Sequence, residues 1–587
     1  MDPIPHRHPE ASLSLIHRLR SLPKHVLSFC WDAVLTLPSR YIVCSIRLTG
    51  LEAACEALCS ILGIRSFAWS DRRAPSNYPS RELDSDQGHY DPDPRLSVVH
   101  GVRHPPILKS ICDFLDVHAA VSPTSLAVQD ILGGQLTYGA LRTRSVHLAQ
   151  RLQGLGVRRG SRVCLVVERS SAFLVALFAV LRLGAAYIPL DGCNIPTAVL
   201  KDIVDDARPA VILVSKAHIS RHGSVEGSWY CIEDLLCEEE DNGGVDFQFG
   251  DTYARPEDPA YIIFTSGSIP RFIDLNFSLT FPCPKLLSVA FDMCAWEVFS
   301  CILNGGSLYL RGPRRQDWIK VMKAVDVLIC TPSIEPHDAK DYPNLKVVAT
   351  AGEPCTKALL ERWSNKVDFY NSCGPTEVTI VNTMDLHRCA ADVTIGYPTP
   401  NNSVYVLDSE LRPVPRGEVG VMWAGGAGIS LGYLNLPELT KTRYKPDPFR
   451  ADGGMMYNTG DLGRLRVDGK LEHRGRVDDQ VKVKEDAMVL TQGFRVELDG
   501  VSAAMHSCPG ITSACALLID GELHGFYAPD SVPVAAVVEE TTALQPRYAV
   551  PTRYLALNVL PLTANGKVDK RKLREIGADP NTQFEMP

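Results

Sequence analysis

The sequence predicts an α/β protein built on a mostly parallel, doubly wound sheet. Three observations carry that prediction. Residues 163–167 and 211–214 are short, unbroken β-branched and apolar runs of the kind that become buried strands. Between them, 172–183 is apolar over a helical length. Before them, Leu141, Ser145, Leu148, Leu152 and Leu155 recur at helical spacing and stop at Gly156. Strands alternating with helices in this way build parallel sheets covered on both faces, an architecture that supports many functions.

Composition narrows the classes. The chain has 587 residues, 45% hydrophobic and 22% charged, enough for several cores. A formal net charge of -8 gives no basic field for nucleic acid. The opening MDPIPHRHPE has no charged-then-apolar leader pattern. The most apolar stretch, 172–190, is interrupted by Arg182 and Gly184, which suits a buried helix better than a bilayer span. The 18 cysteines include no CxxC pair, so no zinc or redox motif is present, and a reducing cytoplasm is the expected location. Residues 1–105 are set apart as an N-terminal extension of unassigned role, with a polar, Pro-rich linker at 70–98.

The stretch at 457–484, YNTGDLGRLRVDGKLEHRGRVDDQVKVK, organises the rest. Thr459-Gly460-Asp461 reads as a polar turn that presents a carboxylate on a Gly-loosened loop. Asp468-Gly469 between two alternating runs is a strong hairpin signal. Each piece alone also reads as a solvated surface hairpin; their order is much more specific. It resembles the TGDL…DG.L…GR.D.QVK signature of the adenylation domains of nonribosomal peptide synthetases, in the AMP-binding, adenylate-forming superfamily. The resemblance implies that Asp461 and Arg476 hold the ribose of ATP. It also implies that Asp478 is the hinge of a small C-terminal lid and that Lys482 serves the site from that lid.

Further motifs follow the same family. Residues 183–191, LGAAYIPLD, resemble a packing motif and carry no site residue. YIIFTSGS at 261–268 opens the family's phosphate loop, so Thr265, Ser266, Gly267 and Ser268 are expected at the ATP phosphates. The family's following TG.PKG is replaced by Ile269-Pro270-Arg271-Phe272, and the segment down to Phe291 is short. FDMCAWEVFSCILNGG at 291–306 resembles the family's FD.S..E….L..GG; by that resemblance Asp292 receives the α-ammonium of an amino acid, where a plain helix N-cap is the alternative. Thr331-Pro332-Ser333 and the loop bearing Gly352 and Glu353 are expected at strand ends, where open α/β sheets bind ligands. FYNSCGPTEVTI at 369–380 resembles the NxYGPTE motif: Asn371 and Ser372 would border the adenine, Thr376 the α-phosphate, and Glu377 would bind Mg²⁺. Residues 485–492 interrupt the lid motif VKVK…GFRVEL, as displaced exon boundaries in a eukaryotic gene or genuine divergence would do. LPLTANGKVDKRKL at 560–573 resembles the family's last motif and makes Lys567 the residue on the substrate carboxylate and bridging oxygens.

The resemblance implies a body at 106–476, with two doubly wound α/β subdomains and a small β-barrel-like one, then an α+β lid at 477–574 and a tail at 575–587. It implies ATP-dependent conversion of a carboxylic acid into acyl-AMP and pyrophosphate. Aligned by motif, the acid pocket comprises Asp292, Met293, Trp296, Cys330, Ala349, Ala351, Ser372, Ile380 and Val381, with Lys567 at its mouth. Such a lining suits a neutral, largely apolar α-amino acid. The chain ends before a carrier domain, so a phosphopantetheine carrier supplied in trans, or CoA, is the expected acceptor; no nucleic-acid or membrane partner is expected. Two rivals remain: a catalytically impaired adenylation fold serving as a binding or scaffold module, and an acyl-CoA synthetase, against which Asp292 argues.

Overall fold

The computed structural model describes residues 93–586, except 106–108, 132, 238–253, 265–282, 313, 335–336, 389–391, 451–452, 478–480, 485–492, 497, 563–567 and 580–581. The first subdomain is a four-stranded, wholly parallel sheet in the order Ala186–Asp191, Arg162–Val167, Val211–Val214, Trp229–Cys231. The helix Ser171–Arg182 is apolar all round and buried at every residue from Phe173 on, as the sequence predicts. Ser170 caps it, its hydroxyl accepting the Phe173 N–H at 3.1 Å. At its other end Arg182 is fully buried, which is tolerable because Asp116 accepts both guanidinium arms and Ser145 accepts its Nε–H at 3.0 Å. The helix Tyr138–Gly154 packs alongside, and Gly156 follows it in the left-handed region at φ +93°.

The second α/β sheet runs Val327–Cys330, Val347–Thr350, Asp368–Cys373, Thr383–His387, Tyr397–Pro398. Its first three strands are parallel, but the last two are antiparallel, so the winding is not parallel throughout. A smaller sheet joins Gln135–Thr137, Leu126–Asp130, Leu308–Leu310 and Cys283–Lys285. The helix Asp292–Ile302 is buried at every residue. Its Glu297, with no exposed surface, accepts the backbone N–H groups of Leu286 (2.7 Å) and Leu287 (3.2 Å), tying the helix to the chain that precedes it.

The third subdomain is a six-stranded antiparallel sheet. The expected hairpin is there as Met455–Leu465 and Leu471–Arg476, with Gly469 at φ +84° in the turn. Thr459-Gly460-Asp461, however, is not a loop: it lies within the first of these strands, with Gly460 at φ +74° and a register shift between Asp461 and Gly463. The bulge turns the Asp461 carboxylate while keeping it on a rigid element. Strand Val98–His100, on the N-terminal side of the boundary read at 105, pairs with Asn402–Leu407 at this sheet's edge.

C-terminal to Arg476, the sheet Ser513–Ile519, Glu522–Ala528, Arg553–Ala556 is covered by the helices Leu498–His506, Val534–Leu544 and Lys570–Ala578. The core around Val496, Leu498 and Val501 also packs against Phe291, the residue immediately before Asp292. No helix among the described residues is long and apolar enough to cross a membrane.

Candidate active site

The hairpin builds one half of the site. Asp461 and Arg476 are direct register partners on adjacent strands, and Arg476 Nη1 reaches Asp461 Oδ1 at 2.6 Å. The same nitrogen donates to the Thr459 carbonyl at 3.2 Å, and His473 Nε2 lies 3.3 Å from Asp461 Oδ1. Thr459 Oγ1 donates to the Met422 carbonyl (2.6 Å) and accepts the Asp461 N–H (3.0 Å). The two residues expected at a ribose are therefore joined, and His473 is a neighbour the motif did not name.

The GPTE segment forms the floor. Thr376–Val378 is one 3₁₀ turn, followed by Thr379 and Ile380 at φ +60° and +75°, two β-branched residues in a region that disfavours them. The surroundings enforce it: Thr379 Oγ1 donates to the Gly428 carbonyl at 2.8 Å, and a Cβ on Gly374 would sit 2.6 Å from Val381 Cα. Glu377 is wholly buried, and Tyr433 Oη donates to its Oε1 at 2.9 Å. Tyr433 is in turn 3.1 Å from Tyr457 Oη. Sequence reasoning missed Tyr433, whose only signal was an aromatic inside the glycine-rich 417–444 stretch. Among the described residues no three His, Cys, Asp or Glu side chains cluster around a cation position.

Strand alternation sorts the residues expected around the acid. In register, Ile329, Ala349 and Tyr370 share one face of the second sheet; Leu328, Val348 and Phe369 share the other. The first face packs against Met293, Trp296, Ala351, Ile380 and Val381 in a single core. Cys330 belongs to the other face, packed among Leu328, Val348 and Trp318, where burial drives its thiol well above the ordinary range. Its expected place in the pocket is thus corrected: one residue of offset moves a strand side chain to the opposite face, and Ile329 stands where Cys330 was expected. The uniformly apolar run Val327-Leu328-Ile329-Cys330 carried no signal of which face is which; the register does. The same alternation separates Asn371 from Ser372. Asn371 turns away and donates to the Thr394 carbonyl at 2.8 Å, while Ser372 is on the pocket side.

Asp292 is the first residue of its helix, not its cap; Phe291 occupies the cap position, and no side chain caps the helix. Asp292 is 7% exposed. Burial, and after it the Asp292 charge, holds the Tyr261 phenol well above its ordinary pKa; the Tyr187 ring lies beside it, tilted by 41° with the ring centroids 5.8 Å apart. Gly352 lies between Met293 and Thr331: a Cβ there would meet Met293 Sδ at 3.5 Å and Thr331 Cγ2 at 3.6 Å. Glu353 accepts the Ser333 hydroxyl at 2.8 and 2.9 Å. Thr265, Ser266, Gly267, Ser268, Asp478 and Lys567 lie outside the described residues, and of Lys482 only the backbone is described, paired with Arg495.

Comparison with known proteins agrees with this geometry. The family model "AMP-binding enzyme" matches residues 115–269 and 280–434, more than half of the chain, and the match breaks just where the phosphate-loop sequence departs from TG.PKG. Adenylate-forming reductase 06235 of Coprinopsis cinerea is 46% identical over 80% of this chain and 47% of its own length. Nonribosomal peptide synthetase sirP of Leptosphaeria maculans is 32% identical over 79% of this chain and 22% of its own. Among solved structures, a four-domain nonribosomal peptide synthetase, holo-AB3403 bound to AMP and glycine, superposes with a TM-score of 0.58 at 26% identity, over 83% of this chain and 37% of that one. The chain thus spans about half the reductase's length and a smaller part of the synthetases. The chain belongs to the AMP-binding enzyme family, and over that shared fold it is similar to the adenylation region of nonribosomal peptide synthetases.

Proposed function

We propose that this chain carries a site for activating a neutral α-amino acid with ATP as its acyl-adenylate, slowed by an altered phosphate loop, and for passing the acyl group to a thiol, on a phosphopantetheine carrier supplied in trans or on CoA. The observation that supports the amino-acid part is the position of Asp292: it stands first in a wholly buried helix, 7% exposed, within the FDMCAWEVF stretch that resembles the family's motif for the α-ammonium. The apolar walls around it suit a neutral side chain. In this reading Asp461 and Arg476 position the ribose; Ser372 belongs to the acid side, and Asn371, turned the other way onto the Thr394 carbonyl, is not assigned to the adenine. Gly352 and Glu353 line the nucleotide at the strand ends, and Thr376 meets the α-phosphate. Glu377 would hold Mg²⁺, which when bound neutralises phosphate charge. Lys567 would follow the negative charge as the carboxylate attacks and pyrophosphate leaves; Asp478 and Lys482 belong to the lid movement that precedes thioester formation.

The higher identity to a protein named an adenylate-forming reductase supports a second reading of what becomes of the activated acid, a fate other than condensation.

The departure after Ser268 bears on rate. Ile269-Pro270 adds bulk and removes an N–H donor where family members hold the departing pyrophosphate. Losing several charge-assisted contacts of about 1.5–3 kcal/mol each slows that step by several powers of ten. The test is paired: AMP binding by calorimetry, and amino-acid-dependent ATP–pyrophosphate exchange. We expect AMP to bind, exchange near background, and exchange restored when 269–287 is replaced by an intact TG.PKG segment. An AMP-blind chain overturns the adenylation reading, and robust exchange by the unaltered chain overturns the impairment.

A further inference from the structure

The acid pocket carries hydroxyls that its apolar walls do not explain. Ser372 Oγ, Thr331 Oγ1 and the Tyr261 phenol are each buried, on residues 3%, 2% and 1% exposed, and none finds a hydrogen-bond partner among the described residues. A buried hydroxyl without a partner is uncommon and costs free energy, so three around one site need a reason. Ser372 continues the face of Tyr370 on its strand, while Thr331 and Ala351 each stand one residue past the end of theirs, the Ala351 N–H donating to the Cys330 carbonyl at 3.2 Å. Thr331 also borders Gly352 opposite Met293, the residue next to Asp292. Tyr261 belongs to the same core as Met293, Ile380 and Val381, and its phenol feels the charge of Asp292.

We propose that these hydroxyls recognise the substrate's side chain, and that the substrate is a neutral α-amino acid bearing its own hydrogen-bonding group, a hydroxyl or a carboxamide, instead of a purely aliphatic one. This rests on the reading that the site activates an α-amino acid, and narrows it. A pocket built to hydrogen-bond a substrate group discriminates strongly against the analogue lacking it, because that analogue seals the pocket's own polar atoms away from water unpaired. A plain apolar pocket discriminates only weakly between isosteres.

The experiment measures binding of non-hydrolysable aminoacyl-sulfamoyl adenosines to the full chain by calorimetry, in two near-isosteric pairs: threonyl against valyl, and asparaginyl against leucyl. In at least one pair the polar member should bind about tenfold or more tighter. In Ser372→Ala and Thr331→Val that ratio should shrink toward one, with the apolar member's affinity nearly unchanged; a merely structural role for either hydroxyl would weaken both members together. Equal or tighter binding of the apolar member in both pairs overturns this inference and leaves amino-acid activation standing. Failure of all four analogues, with AMP still binding, overturns the amino-acid reading itself and this inference with it.

Discussion

The two halves of the candidate site differ in how far their polar groups are already engaged. On the hairpin half, Asp461 contacts Arg476 and His473, Arg476 also reaches the Thr459 carbonyl, and Thr459 is itself anchored to Met422. On the acid half, Ser372, Thr331 and Tyr261 are buried with their hydroxyls unsatisfied among the described residues. The hairpin half is built on strands and the acid half on a strand, a strand end and an isolated bridge, all within the buried core, so the contrast is not one of order against disorder. It is the difference between a set of charges positioned by the fold itself and a set of neutral groups left to be paired by what enters. A common nucleotide needs the first kind of surface; selection among many acids needs the second.

The strongest way to break this comparison is at Asp461. Asp461→Asn keeps the shape and removes the charge that holds Arg476. Loss of a charge-assisted hydrogen bond of about 1.5–3 kcal/mol should weaken AMP binding roughly tenfold to a hundredfold. Calorimetric titration with AMP reads this directly, and an unchanged affinity would remove Asp461 from the nucleotide's contacts.

A smaller effect is expected at Tyr433. Tyr433→Phe strips a donor from the fully buried Glu377 and leaves the Tyr457 hydroxyl one neighbour fewer. The cost should be about 1–2 kcal/mol in folding stability, read as a lower urea midpoint of the body's transition. If the midpoint does not move, water already hydrates that carboxylate, and the GPTE turn is less rigidly held than its bonds imply.

How much of this was legible in the sequence follows physical lines. The hairpin was readable because Asp468-Gly469 and the alternating runs on either side are local signals, and the buried helix Ser171–Arg182 because its apolar length is local too. The bulge that keeps Asp461 on a strand was not readable: Thr-Gly-Asp is as good a loop as it is a bulge, and only the pairing with Arg476 decides. Cys330 was placed on the wrong face because a motif alignment that slips by one residue inverts every side chain on a strand, and the register with Ala349 and Tyr370 settles it. Tyr433 was invisible for another reason. Its contact with Glu377 joins residues 56 positions apart, and nothing local marks an aromatic in a glycine-rich stretch as the partner of a buried carboxylate.

The smallest effect sharpens the comparison most. If the acid half is complementary to a ligand and not to itself, removing its hydroxyls should not weaken the empty fold. Ser372→Ala and Thr331→Val each delete a buried oxygen that has no partner among the described residues; Val preserves the shape of Thr, and Ala leaves a gap no larger than the oxygen. The hydroxyl has already lost its water on folding without regaining a bond, so its removal recovers a desolvation cost and gives up little packing. Stability of the unliganded chain should stay the same or rise by up to about 1 kcal/mol, opposite in sign to Tyr433→Phe, where the lost hydroxyl is bonded. Urea unfolding of the three variants side by side measures this. A loss of more than about 1 kcal/mol in Ser372→Ala or Thr331→Val would mean that these hydroxyls are already satisfied in solution, by ordered water. The two halves of the site would then differ only in what satisfies them.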